Sequence, residues 1–208
     1  VTSRPSDPHP SDSRHDLHDA NGRSAGNEWG PLTGLIGAWE SGPNGLDLSF
    51  HNDSGKIGET TYRERTTFEP FGPVDQGERR LYGLDYRTLA WRKDEDVPFH
   101  REVGYWIWDA GNHQVMRCFT SPLAVTLIAG ATVEPTATTF RLEAVLGSNT
   151  YGILSSRHLD EAARTTRFEV TVHVDVDAYS YDQTTVVEHR KSQTIIMHTD
   201  RNTLARVR

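Results

Sequence analysis

One of the ten histidines of this chain, His198, stands at the end of an apolar run, Ile195, Ile196 and Met197, within TIIMHTDRNTL. An imidazole delivered by an apolar strand can bind a metal or carry a proton. The alternative is a buried histidine hydrogen-bonded to backbone or to Asp200. If the strand continues, Asp200 shares a face with His198; in a turn it caps backbone N–H groups instead. A second histidine opens FHREVGYWIWD. Alternation puts His100, Glu102, Gly104, Trp106 and Trp108 on one face, and Phe99, Arg101, Val103, Tyr105 and Ile107 on the other. If the tryptophans line a cavity, His100 and Glu102 lie on the same side, near one end, within reach of a distal ligand. If not, they form a surface pair, and alternation alone leaves both open. His51 and His113 sit beside turn-like residues, His158 falls in SSRHLDEA, which reads as a loop, and His189 faces either way. Cys118 reads as a small buried hydrophobe rather than a thiolate ligand.

Something must position these groups, and composition bounds what it is. The chain has 208 residues, enough for one domain with a sizeable core. Lys+Arg 22 against Asp+Glu 29 gives a net charge of −7 with no long basic run, which argues against nucleic acid as a partner. A single cysteine excludes an intrachain disulfide and the Cys-rich zinc modules, and fits a reducing cytoplasm. No charged-then-apolar leader and no long apolar stretch points to export or to a membrane span. Residues 1–28, rich in Pro, Ser, Asp and His, read as a flexible polar tail in which His9, His15 and His18 are solvated. Residues 29–208 read as one domain.

That domain is all-β by its periodicity. A short apolar segment in WGPLTGLIGAWE allows one or two helical turns before Trp39 begins a strand. Alternating stretches then follow one another at 46–50, 59–71, 80–92, 99–110, 113–122, 124–134, 138–147, 151–156, 164–178 and 180–190 running into 193–200. In RFEVTVHVDVD, Phe168, Val170, Val172, Val174 and Val176 share an apolar face, and His173 points outward. About ten strands joined by short turns solve the edge problem by closing into an antiparallel up-and-down barrel. Above about eight strands such a barrel encloses a ligand cavity. A two-sheet sandwich is the alternative, and it would have none.

Three stretches, GAWESG, FHREVGYWIWD and the closing HTDRNTL, resemble the nitrobindin-like haem-binding barrels, which are fatty-acid-binding-protein-like, calycin-related and akin to the haem domain of a THAP-type protein. The resemblance covers roughly residues 32–208. It implies a ten-stranded barrel holding haem b, with His198 as the proximal iron ligand. It also implies peroxynitrite isomerisation to nitrate and nitric oxide binding at the open iron position. The family's G-x-W-x-G-x-G is matched at Gly37 and Trp39, with Ser41 where the next glycine belongs. Two other function classes share the cavity. One is a haem-free carrier or sensor of a fatty acid or other apolar molecule. The other is a barrel recruited as a biosynthetic isomerase or cyclase, whose mark would be an interior polar constellation such as Glu102 with His100 or Tyr105. A homodimer is compatible with all three.

Overall fold

The structure is a computed structural model that describes residues 27–51 and 54–208. The expectation of a flexible tail, with its His9, His15 and His18, lies almost wholly outside the described residues. A 3-10 turn (Gly30–Leu35) leads into β1 (Gly37–Glu40), β2 (Gly45–His51), β3 (Lys56–Gln76), β4 (Arg79–Arg92), β5 (His100–Asp109), β6 (Gln114–Thr120) and β7 (Val125–Thr132). The second half adds β8 (Thr139–Val145), β9 (Ile153–Ser155), a one-turn helix α1 (Arg157–Ala162), β10 (Ala163–Val174), β11 (Ala178–His189) and β12 (Thr194–Arg206). From β2 to β8 and from β10 to β12 consecutive strands pair antiparallel, β10 pairs with β8, and β12 returns to pair with both β1 and β2, which in turn pair with β3. The short β1 and β2 share one place in the wall, and β8 and β9 share another beside β7, so the segments form a closed ten-stranded antiparallel barrel. No helix among the described residues is long and apolar enough to cross a membrane.

Alternation decides what faces inward. On β10, Phe168, Val170 and Val172 are buried, and His173 is exposed as the valine pattern requires. A bulge between Thr165 and Arg167 flips the parity, so Thr165 faces inward as well. The apolar face ends sooner than the sequence suggests: β10 stops at Val174, and Val176, in the turn to β11, is 78% exposed. The loop expected at SSRHLDEA is instead α1. Ser156 caps it by accepting from the Leu159 N–H, and His158 stays exposed.

The 3-10 turn plugs one end of the barrel. Leu32 and Leu35 are fully buried there with Trp39 and Leu204, and Trp29 donates its indole N–H to the Gly83 carbonyl at 3.0 Å. Gly30 has φ +52°, and a Cβ on it would lie 2.6 Å from the Trp108 ring, so only glycine lets the turn seat on that tryptophan. Trp108 thus belongs to the floor of the barrel rather than to its cavity.

Candidate functional site

Above the plug the barrel encloses a cavity of about 300 Å³. Residues that both line it and reach solvent, His100, Leu123 and His198, mark its mouth at the opposite end. Its walls differ. Phe119, Leu127, Phe168, Val170 and Val172 make one side apolar, while β3, β4, β5, β11 and β12 contribute acids, phenols and amides.

At the mouth, β12 runs unbroken through the HTDRNTL stretch, so Asp200 shares the inward face with His198. The His198 Nε2 lies 3.0 Å from an Asp200 oxygen and 3.2 Å from Asp47 Oδ2. Asp47 comes from β2, the strand on which β12 closes. Burial works against a charged ring, yet the hydrogen bonds to Asp200 and Asp47 outweigh it and push the imidazole up to about 10. Asp47 moves the other way: His198 holds it below the usual carboxylate range despite its burial. Because the folded value lies above the free imidazole's 6.5, this charge stabilises the protein fully below pH 6.5, a contribution that is lost as pH rises toward 10. His198→Gln is therefore expected to cost most stability at the acidic end of that window and progressively less toward its alkaline end. Urea unfolding of both proteins across the window checks this, and parallel pH dependences would contradict it.

Deeper in, Glu102 is the hub of a buried network. Its Oε2 accepts from Arg117 at 2.5 Å and from the Tyr86 hydroxyl at 3.0 Å, and its Oε1 lies 3.1 Å from His100 Nε2. Arg117 also donates to Gln183 at 3.1 Å and to Tyr86 at 3.3 Å. Burial alone would raise the Glu102 carboxyl, but Arg117 and then His100 pull it down to about 2. His100 is shifted upward, because the bond and charge of Glu102 outweigh its own burial. A third group surrounds Glu64, which accepts from Tyr181 at 2.7 Å, Asn202 at 2.9 Å and Thr66 at 2.9 Å. The Tyr181 and Tyr62 hydroxyls lie 2.9 Å apart. No cation pairs with Glu64 among the described residues, and burial raises its carboxyl despite those three donors.

The face of β5 that alternation left open is therefore the inward one: His100, Glu102 and Trp106 line the cavity. Tyr105, the other partner considered for Glu102, is 49% exposed on the outer face, and Tyr86 of the neighbouring strand takes that place. Gly37 and Trp39 sit at the plug, where Trp39 donates to the Leu35 carbonyl at 2.7 Å. Cys118 is half-buried and burial raises its thiol, in keeping with a small hydrophobe. Asp47, Glu64, Tyr86, Arg117 and Tyr181 went unnoticed in the sequence. Each occupies the inward parity of its strand, and Arg117, between Val115 and Phe119, was the most legible sign of a charge pointing into the barrel.

Residues 28–206 match the family described as "THAP4-like, heme-binding beta-barrel domain". A solved structure, that of Rv2717c from M. tuberculosis, superposes with a TM-score of 0.59 at 21% identity, covering 85% of this chain and 95% of that one, a likeness of fold. No curated protein matches. With a closed ten-stranded barrel, a cavity and an inward histidine at its mouth, the chain belongs to the THAP4-like haem-binding β-barrel domain family.

Proposed function

We propose that the barrel holds a b-type haem at its mouth through His198 and acts there on reactive nitrogen species, isomerising peroxynitrite to nitrate and binding nitric oxide. The observation that carries this reading is the donor set at the mouth. A ligating histidine has one ring nitrogen fixed by carboxylate or carbonyl and the other free. Here both carboxylates address Nε2, and no described residue bonds Nδ1. The residues present therefore fit a single-imidazole ligand. Haem bound in this way supplies an iron with one open coordination position. The chain's own part is to hold the ring, orient it through Asp47 and Asp200, and keep bulk water from the apolar wall behind. Because the ring is charged in the haem-free protein, ligation displaces a proton.

Absorption spectra after haem reconstitution test the reading. The parent is expected to show a Soret band that shifts on reduction and on nitric oxide addition, and to speed peroxynitrite decay to nitrate. His198→Ala is expected to weaken haem binding by at least about 100-fold and to abolish the shift. Equal affinity and an identical spectrum in the variant would remove His198 as the ligand and the reading with it.

A second reading, a haem-free barrel recruited as an isomerase or cyclase, is favoured by one specific observation: the polar constellation of buried Glu102, Arg117 and Tyr86 with His100 at the mouth. Native mass spectrometry of protein purified without added haem separates the two, since a stoichiometric organic ligand in place of haem supports the second.

A further inference from the structure

We infer that the cavity binds a neutral, largely apolar small molecule carrying an acceptor oxygen, a ketone or an ester, with that oxygen taken by the indole N–H of Trp106 and the body lying on the β10 wall. This proposal does not rest on haem and concerns the interior behind the mouth.

The first support is an orphaned donor. Trp106 lines the cavity and is 4% exposed, yet its Nε1 has no hydrogen-bond partner among the described residues. By contrast, the indole N–H groups of Trp29, Trp39 and Trp91 reach backbone carbonyls. A buried N–H without an acceptor is costly, and a ligand oxygen that reaches it recovers that cost. The ring itself is held in place by edge-on contacts with Phe68, Tyr86 and Phe140.

The second support is charge. Carboxylates of Asp47, Glu64, Glu102 and Asp200 face the cavity, against one arginine and the two histidines of the mouth. Arg117 is the obvious partner for a ligand carboxylate, but its three nitrogens already donate to Glu102, Tyr86 and Gln183, and its faces meet Phe119 and Trp106. A fatty-acid head group would have to displace Glu102 and then sit beside Glu64, which has no counter-charge. Like charges and an occupied arginine select against an anion. Neutral oxygen compounds meet neither obstacle. Phe168, Val170, Val172 and Leu127 offer the apolar body a wall without polar groups.

Three naphthalenes of nearly equal size probe this: 2-acetylnaphthalene, 2-ethylnaphthalene and 2-naphthoate. Each is titrated into the haem-free full chain, labelled with nitrogen-15, while the indole N–H resonances are followed. The Trp106 signal is assigned by its loss in Trp106→Phe. The ketone is expected to bind about tenfold more tightly than the hydrocarbon, with a downfield shift of the Trp106 resonance, and the carboxylate most weakly. In Trp106→Phe the ketone's advantage over the hydrocarbon should vanish while the hydrocarbon's own affinity is kept. Tightest binding of the naphthoate, an unchanged ketone-to-hydrocarbon ratio in the variant, or no saturable binding of any of the three would each overturn the proposal. A Soret band tied to His198 is unaffected by these outcomes, so the two readings fail separately.

Discussion

Glu102→Leu is expected to lower the free energy of unfolding by about 3–5 kcal/mol, among the largest single effects in the molecule. The substitution leaves Arg117 inside the barrel as an uncompensated charge, its side chain only 10% exposed. Gln183 and Tyr86 still accept from it, and Phe119 still lies 4.7 Å from the guanidinium, but none of these carries a negative charge. Cation–π contact offsets about 0.5–2 kcal/mol and does not replace an ion pair. The same reasoning predicts the behaviour of the pair. Glu102→Leu combined with Arg117→Met removes both charges into a setting already built by Phe119, Phe168 and Trp106, so most of the loss should be recovered. Urea unfolding of the parent, the two single variants and the double variant forms the cycle that measures it. A single variant within about 1 kcal/mol of the parent would mean that Arg117 finds water at once and that its burial does not isolate it.

Trp39→Ala is expected to cost a comparable amount, about 3–5 kcal/mol, by leaving a large cavity at the plug. Trp39 is fully buried, donates to the Leu35 carbonyl, and supports the guanidinium of Arg206 4.1 Å from its ring. Arg206 in turn donates to the Ile36 carbonyl at 2.6 Å and to the Gly34 carbonyl at 2.9 Å. Removing the indole therefore loosens the 3-10 turn and β12 together. Trp39→Phe keeps most of the packing and gives up the indole hydrogen bond, so it should cost about 1 kcal/mol beyond the smaller ring's lost contacts. Thermal unfolding of both variants gives the magnitudes. Hydrogen exchange locates the effect, since the turn's amides should lose protection in Trp39→Ala first.

The barrel was legible because alternation is a local signal: each strand from β2 to β12 announces itself within its own few residues. Its closed topology and its cavity follow from that pattern and from the need to remove sheet edges, whereas His198 was singled out by the resemblance of the closing stretch. The interior chemistry was less legible, and the reason is distance along the chain. Asp47 meets His198 across 151 residues, and Glu64 meets Asn202 across 138. No window of sequence contains both members of either pair. On β5 the ambiguity had another source. The outer face carries Val103 and Tyr105 and the inner face carries His100 and Glu102, so the polar residues mark the inside at that end of the strand. Helix α1 was missed because a six-residue helix contains too little apolar periodicity to register, although Ser156 ahead of Asp160 and Glu161 is a fair start signal.

The return of β12 to β1 and β2 also sets a timetable. The first strands described and the last are neighbours in space, so wall closure depends on pairings such as Trp39 with Arg206, made between opposite ends of the folded chain. Contacts of such high sequence separation place the protein among slow folders, and they cannot begin until residue 206 has emerged from the ribosome. Until then β1, β2 and β11 have unpaired edges that invite association with other chains. The strand that ends this exposure is the one carrying His198, so the ring acquires Asp47 as a partner in the act that seals the barrel.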